Sequence, residues 1–125
     1  MVLTFRNTHN WIKYGGVENI YRAFHPVLKK GGILGVVQHR ARNNDDAKES
    51  AKNGYVPERY LINLAEKVGF ELVEKSEINA NTKDKKDHPK GVWTLPPTLR
   101  LGDSDKKKYI EIGESDRMTL RFIKL

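Results

Sequence analysis

The 125-residue sequence has no cysteine. Disulfide frameworks, thiolate nucleophiles and cysteine-ligated zinc are therefore excluded, while the compartment stays open. There is no run of about eighteen apolar residues, so no membrane span is expected. The start, Met1-Val2-Leu3-Thr4-Phe5-Arg6, lacks the basic head and apolar core of a secretory leader, and a cytoplasmic location is the expectation. The four histidines, His9, His25, His39 and His88, show no metal-ligand spacing, so no metal is expected. Ser115, in Glu114-Ser115-Asp116, lacks the nucleophile-elbow pattern and belongs to no recognisable triad.

What is present is an ordinary globular composition, 38% apolar and 31% charged, enough for one domain with one core. Net charge is +7. The excess sits in mixed-sign stretches such as Lys83-Asp84-Lys85-Lys86-Asp87, which read as solvated loops rather than a nucleic-acid groove.

The chain is organised around Gly31-Gly32-Ile33-Leu34-Gly35-Val36-Val37-Gln38. An unbroken apolar run of this length fits a strand covered on both faces. Lys29-Lys30-Gly31-Gly32 before it closes an amphipathic helix, with basic residues suited to the dipole and glycine to the left-handed cap. That helix carries Val17, Ile20, Tyr21, Phe24, Val27 and Leu28 on one face, with Pro26 expected to kink or break it near His25. Upstream, residues 2–5 read as a buried strand and residues 6–16 as a loop. Downstream, residues 39–54 read as a polar loop. A helix opens at Pro57, shows Leu61, Leu64, Ala65 and Val68 on one face, and ends at Gly69. Residues 70–78 form a strand, 79–90 a loop, 92–101 an extended segment interrupted by Pro96-Pro97, 106–113 a short helix, and 118–125 a last strand. The order is β-α-β-α-β-(irregular)-β, an α/β chain without internal repeat.

The leader Phe24-His25-Pro26-Val27-Leu28-Lys29-Lys30-Gly31-Gly32-Ile33-Leu34 resembles the approach to the fifth strand of class I S-adenosylmethionine-dependent methyltransferases. Three segments are similar to a bacterial group of predicted methyltransferases: residues 5–11 (Phe-Arg-Asn-Thr-His-Asn-Trp), residues 92–102 and residues 113–118. The resemblance covers the whole chain and implies the C-terminal half of that fold: a four-stranded mixed sheet, in the family's count 4-5-7-6, lacking the cofactor-binding half. The last strand is then antiparallel and lies between the second and third. S-adenosylmethionine would be the cofactor of the complete domain. The glycine-rich cofactor loop is absent, so this chain alone is expected to be inactive.

Ligands of open α/β sheets bind outside the carboxyl ends of the strands. By this reading and the resemblance, His9 is the candidate base, Asn7 and Asn10 orient a small-molecule methyl acceptor, and Trp11 walls the pocket. His39 and Arg40, past the second strand, and Asn79, Asn81 and Trp93, in the excursion before the last strand, are further candidates for binding it. The alternative is a Rossmann-like binding or assembly module without catalysis. The apolar strand at residues 2–5 should leave an unpaired edge flanked by an apolar patch, which favours a homodimer through antiparallel pairing of that strand with its copy. A monomer with residues 7–16 folded over the edge is the other solution.

Overall fold

The computed structural model describes all 125 residues. Its four strands are β1 (Val2–Phe5), β2 (Ile33–His39), β3 (Phe70–Ser76) and β4 (Arg117–Lys124). Its five α-helices are α1 (Thr8–Tyr14), α2 (Val17–Val27), α3 (Ala47–Lys52), α4 (Glu58–Lys67) and α5 (Lys106–Ile112), and a 3-10 turn spans Gly91–Thr94. The sheet order is β1-β2-β4-β3, with β1 parallel to β2 and β4 antiparallel to both its neighbours. The last strand is thus inserted between the second and third, the place that the resemblance implied.

One face of this sheet is covered. Leu34 and Val36 of β2, Met118, Leu120 and Phe122 of β4 and Phe70 of β3 point into a core closed by Ile12, Tyr21, Leu28, Leu61, Leu64 and Ala65 from α1, α2 and α4. The helical periodicity of α2 and α4 places their apolar stripes there. Pro26 does not break α2 at His25. The helix runs on to Val27, and Lys124 Nζ caps its end by donating to the carbonyls of His25 (2.7 Å) and Leu28 (2.8 Å).

The other face corrects the expectation of a strand buried on both sides. β2 alternates between buried and half-buried residues, and Leu3 and Phe5 of β1 are 55% and 54% exposed. No element crosses this side, and a groove of about 370 Å³ lies along it, lined by Leu3, Phe5, Val37 and Arg121 among others. The strand registers set out two cross-strand rows on this face: Leu3–Gly35–Arg121–Glu74, and Phe5–Val37–Thr119–Ser76.

Three local expectations also change. Residues 6–16 are not a loop: Thr8, His9 and Ile12 share a buried side and fold into α1, which packs against α2 and α3 and leaves the edge of β1 unpaired. Residues 39–54 contain α3, whose cap is Asp46, accepting from the Glu49 N–H at 3.0 Å. Residues 91–94 turn as a 3-10 helix where an extended segment was expected, because Gly91 and Val92 must close against Asn53.

That closure yields a prediction. At Gly91, with φ +60°, an added Cβ would lie 2.7 Å from Asn53 Cα and closer still to its carbonyl oxygen. Gly91→Ala is expected to cost about 3 kcal/mol, from a left-handed backbone and overpacking against main chain that cannot yield. At Gly35 the new methyl meets only the flexible end of Leu3, on the open face, so Gly35→Ala should change stability by less than about 1 kcal/mol. Urea unfolding of the two variants checks the contrast, and equal losses would refute it.

Candidate functional site

β1 and β2 are parallel, so their carboxyl ends lie at one edge, where antiparallel β4 begins. α1 follows β1 almost at once and sets His9 there, while β2 delivers Gln38 and His39. The two imidazoles stand 5.7 Å apart between centroids, and Trp93, from the 3-10 turn, meets His9 edge-on at 5.9 Å. The turn before β4 supplies Ser115, whose hydroxyl lies 2.5 Å from His39 Nδ1.

Gln38 organises the centre. It is fully buried, and its amide nitrogen lies 2.9 Å from the Gly54 carbonyl and 3.1 Å from His9 Nδ1. A carbonyl only accepts, so that end of the amide is the NH₂ group. His9 Nδ1 then accepts as well, and the proton of the neutral ring sits on Nε2. The Gln38 carbonyl oxygen is buried without a partner. Arg117 lies directly opposite His39 in the β2–β4 ladder, and its Nε is likewise buried and unpartnered, although its terminal nitrogen donates to Glu114 at 3.0 Å.

Both histidines are held neutral. Burial pushes His39 down to about 3, and the positive charges of Arg117 and Arg6 add to the effect. Burial also lowers His9, against a smaller opposing contribution from its bond to Gln38. A neutral imidazole accepts or donates a proton at little cost only if the charged form is stabilised on demand, for example by an incoming anion.

The other sequence candidates are placed differently. Asn7 precedes α1, accepts at its side-chain oxygen from Asn10 (3.4 Å), and makes no side-chain cap bond. Trp11 turns into the helical layer against Tyr21 and Phe24, away from the histidine pair. Arg40 spends all five N–H donors on carboxylates, paired with Asp116 at 3.0 Å twice and with Glu58 and Glu77 at 2.7–3.2 Å. It is left with no donor for a substrate. Asn79 donates to Thr119 Oγ1 at 2.7 Å, and Asn81 ties the end of α5 to the next turn by donating to the carbonyls of Ile112 and Glu114 at 2.7 Å. The structure therefore brings together His9, His39 and Trp93 and uses Asn79, Asn81 and Arg40 to tie the excursion to its surroundings. Gln38, Ser115, Arg6 and Arg117 join the site without having been singled out for it. Gln38 had a visible signal, the first polar side chain after the apolar run of β2, whereas the others depend on the chain folding back.

No cluster of three or more histidine and acidic side chains is placed to hold a metal ion, and no helix is long and apolar enough to cross a membrane. S-adenosylmethionine was expected of the complete domain and not of this chain alone. The glycine pair 15–16 joins α1 to α2, and the pair 31–32 precedes β2, so neither makes the strand-to-helix turn that cradles such a cofactor.

No family model matches the chain, and no curated protein matches it by sequence. The chain is similar in fold to a solved structure, the [4+2]-cyclase SpnF, with a TM-score of 0.56 and 15% sequence identity over 98% of this chain. It spans about half of that protein, 49% of its length. These findings overturn the methyltransferase resemblance as a family assignment: no methyltransferase family accounts for the chain, and the solved structure named here is that of a cyclase. At this identity the likeness is one of fold, an α/β chain with a four-stranded mixed sheet.

Proposed function

We propose that the chain forms the substrate-facing half of a small-molecule site at the carboxyl edge of its sheet, with an anionic group of the ligand held between Arg6, Arg117 and His39. The observation that carries this is the convergence of two neutral histidines from separate elements beside an unpartnered Arg117 Nε. Arg6 follows β1 directly, its N–H extends the ladder to the Val37 carbonyl at 2.7 Å, and its side chain is exposed. An anion there would supply the missing acceptor for Arg117 and favour protonation of His39, with Ser115 as the partner at Nδ1. His9, its Nε2 carrying the proton, is the candidate acid of the pair.

A second reading, a binding and assembly module without catalysis, is favoured by burial: His9 and His39 are only 4% and 8% exposed, so a ligand meets their rims rather than a deep cleft. Titration calorimetry with citrate and inorganic phosphate separates the two. The site reading expects saturable binding that weakens about tenfold, roughly 1.4 kcal/mol, in Arg117→Gln. Absence of heat with either anion at millimolar concentration, or binding untouched by the substitution, removes the site reading. S-adenosylmethionine should give no heat with this chain.

A further inference from the structure

The open face of the sheet has the composition and register of a self-complementary contact. Its β1–β2 half is apolar, with Leu3, Phe5 and Val37 around Gly35, over which the end of Leu3 already lies. Its β4–β3 half carries one charge of each sign, Arg121 and Glu74, bound to each other at 2.6 Å and both more than half exposed. Ser76 and Thr119 provide hydroxyls in the neighbouring row.

We infer that this face packs on the same face of a second copy, each strand antiparallel over its own counterpart. A two-fold axis in the interface, perpendicular to the strands and midway between the two rows, sets one row over the other. Leu3 then faces the second copy's Phe5, Gly35 faces Val37, Arg121 faces Thr119, and Glu74 faces Ser76. Apolar meets apolar, and no like charges oppose each other. Thr119 Oγ1 already accepts from Asn79 and keeps a lone pair for a guanidinium; Ser76 Oγ accepts from the Ile78 N–H and keeps its proton for a carboxylate. An axis parallel to the strands would instead lay β1 over β3 and bury Leu3 against Glu74 and Phe5 against Ser76.

Pairing along the β1 edge is the weaker solution. Its two-fold is normal to the sheet, so both apolar faces end on one side and stay wet. It recruits only a four-residue strand.

Size sets the strength. Four strands about 4.8 Å apart and two rows about 6.7 Å apart cover roughly 260 Å² per copy. That is about a third of the standard share, so the dimer belongs to the weak, reversible class.

Sedimentation velocity on the full chain between about 5 and 500 µM is the test. Wild type should pass from monomer to dimer. Val37→Asp, on the face but away from the edge, should hold it monomeric with an unchanged far-ultraviolet spectrum. Position 119 reads the register: Thr119→Arg should weaken association at least about tenfold and Thr119→Glu should tighten it, because both meet Arg121 of the other copy. A monomer across the whole range overturns the inference, as does a dimer indifferent to Val37→Asp, which would place the contact at the edge or elsewhere. Equal effects of the two substitutions at 119 overturn the register.

Discussion

Replacing Asp84 with alanine is expected to destabilise the protein by roughly 3–5 kcal/mol, the largest single-residue effect outside the apolar core. Its side chain has no solvent exposure. It accepts from the Tyr55 hydroxyl at 3.0 Å, the N–H groups of Lys86 and Asp116 at 2.9 Å, and His88 Nε2 at 2.8 Å. These donors come from three places in the chain: the end of the α3 loop, the excursion itself, and the turn that launches β4. Alanine leaves all of them facing a cavity, and Asp84→Asn keeps the shape but sets an NH₂ group against donors. The second variant should therefore recover less than half of the loss. Equilibrium urea unfolding measures both, and amide exchange should show residues 79–116 opening before the sheet. A loss below about 1 kcal/mol for alanine would show that Asp84 is not the tie holding the excursion.

The same residue shows where sequence reasoning stops. Asp84 sits in Lys83-Asp84-Lys85-Lys86-Asp87, a stretch that reads as solvated by composition. Nothing local distinguishes the buried carboxylate from its exposed neighbour Asp87, because the partners Tyr55 and Asp116 lie about thirty residues away on either side. The sheet was far more legible. β2 and β4 announce themselves through apolar or alternating runs, α2 and α4 through their stripes, and the place of β4 followed from the order of elements and the resemblance. The short helices were less visible. α1 has seven residues and α3 six, too few to show a period, and α3 was marked only by Asp46 with Glu49 three residues on.

The site was legible in its position and only partly in its membership. Strand ends in an α/β sheet pointed to His9 and His39, which the fold does bring together. Arg40 adjoins His39 in sequence, yet the chain turns it toward Asp116, Glu58 and Glu77, and a one-residue difference in direction is not written in composition. Asp116 is held ionised there although burial works against it, because bonds from Arg40, the Asn81 N–H and Lys86 outweigh that cost. The open face was read only halfway. The unpaired β1 edge was foreseen, but the continuous apolar run of β2 implied cover on both sides, and only one side has it.

Acid should expose the histidine pair directly. His39 is pushed from an ordinary value of 6.5 down to about 3 in the folded chain, while the unfolded chain titrates near the ordinary value. Between those two values the unfolded state binds a proton that the folded state refuses, so stability falls as pH falls. The loss begins just below pH 6.5 and is complete near pH 3, where it reaches about 4 kcal/mol. His9 shifts in the same direction and steepens the slope. The groups facing His39 are Ser115, the Tyr55 ring, the His9 ring and the cationic neighbours Arg117 and Arg6, and none is a carboxylate that would reverse the sign. The lowered carboxylates, Asp116 and Glu77, titrate below their ordinary values of 3.8 and 4.5 and leave the upper window to the histidines. From pH 6.5 to 5, unfolding free energy should therefore drop by roughly 2 kcal/mol, about 1.4 kcal/mol for each pH unit per refused proton. His39→Asn, which keeps a polar atom toward Ser115, should remove most of that slope while leaving stability at pH 8 within about 1 kcal/mol. Urea unfolding of both proteins at four pH values checks it. A wild type equally stable at pH 6.5 and 5, or a variant with an unchanged slope, would mean that His39 takes up its proton without unfolding and that the edge is open enough to solvate it.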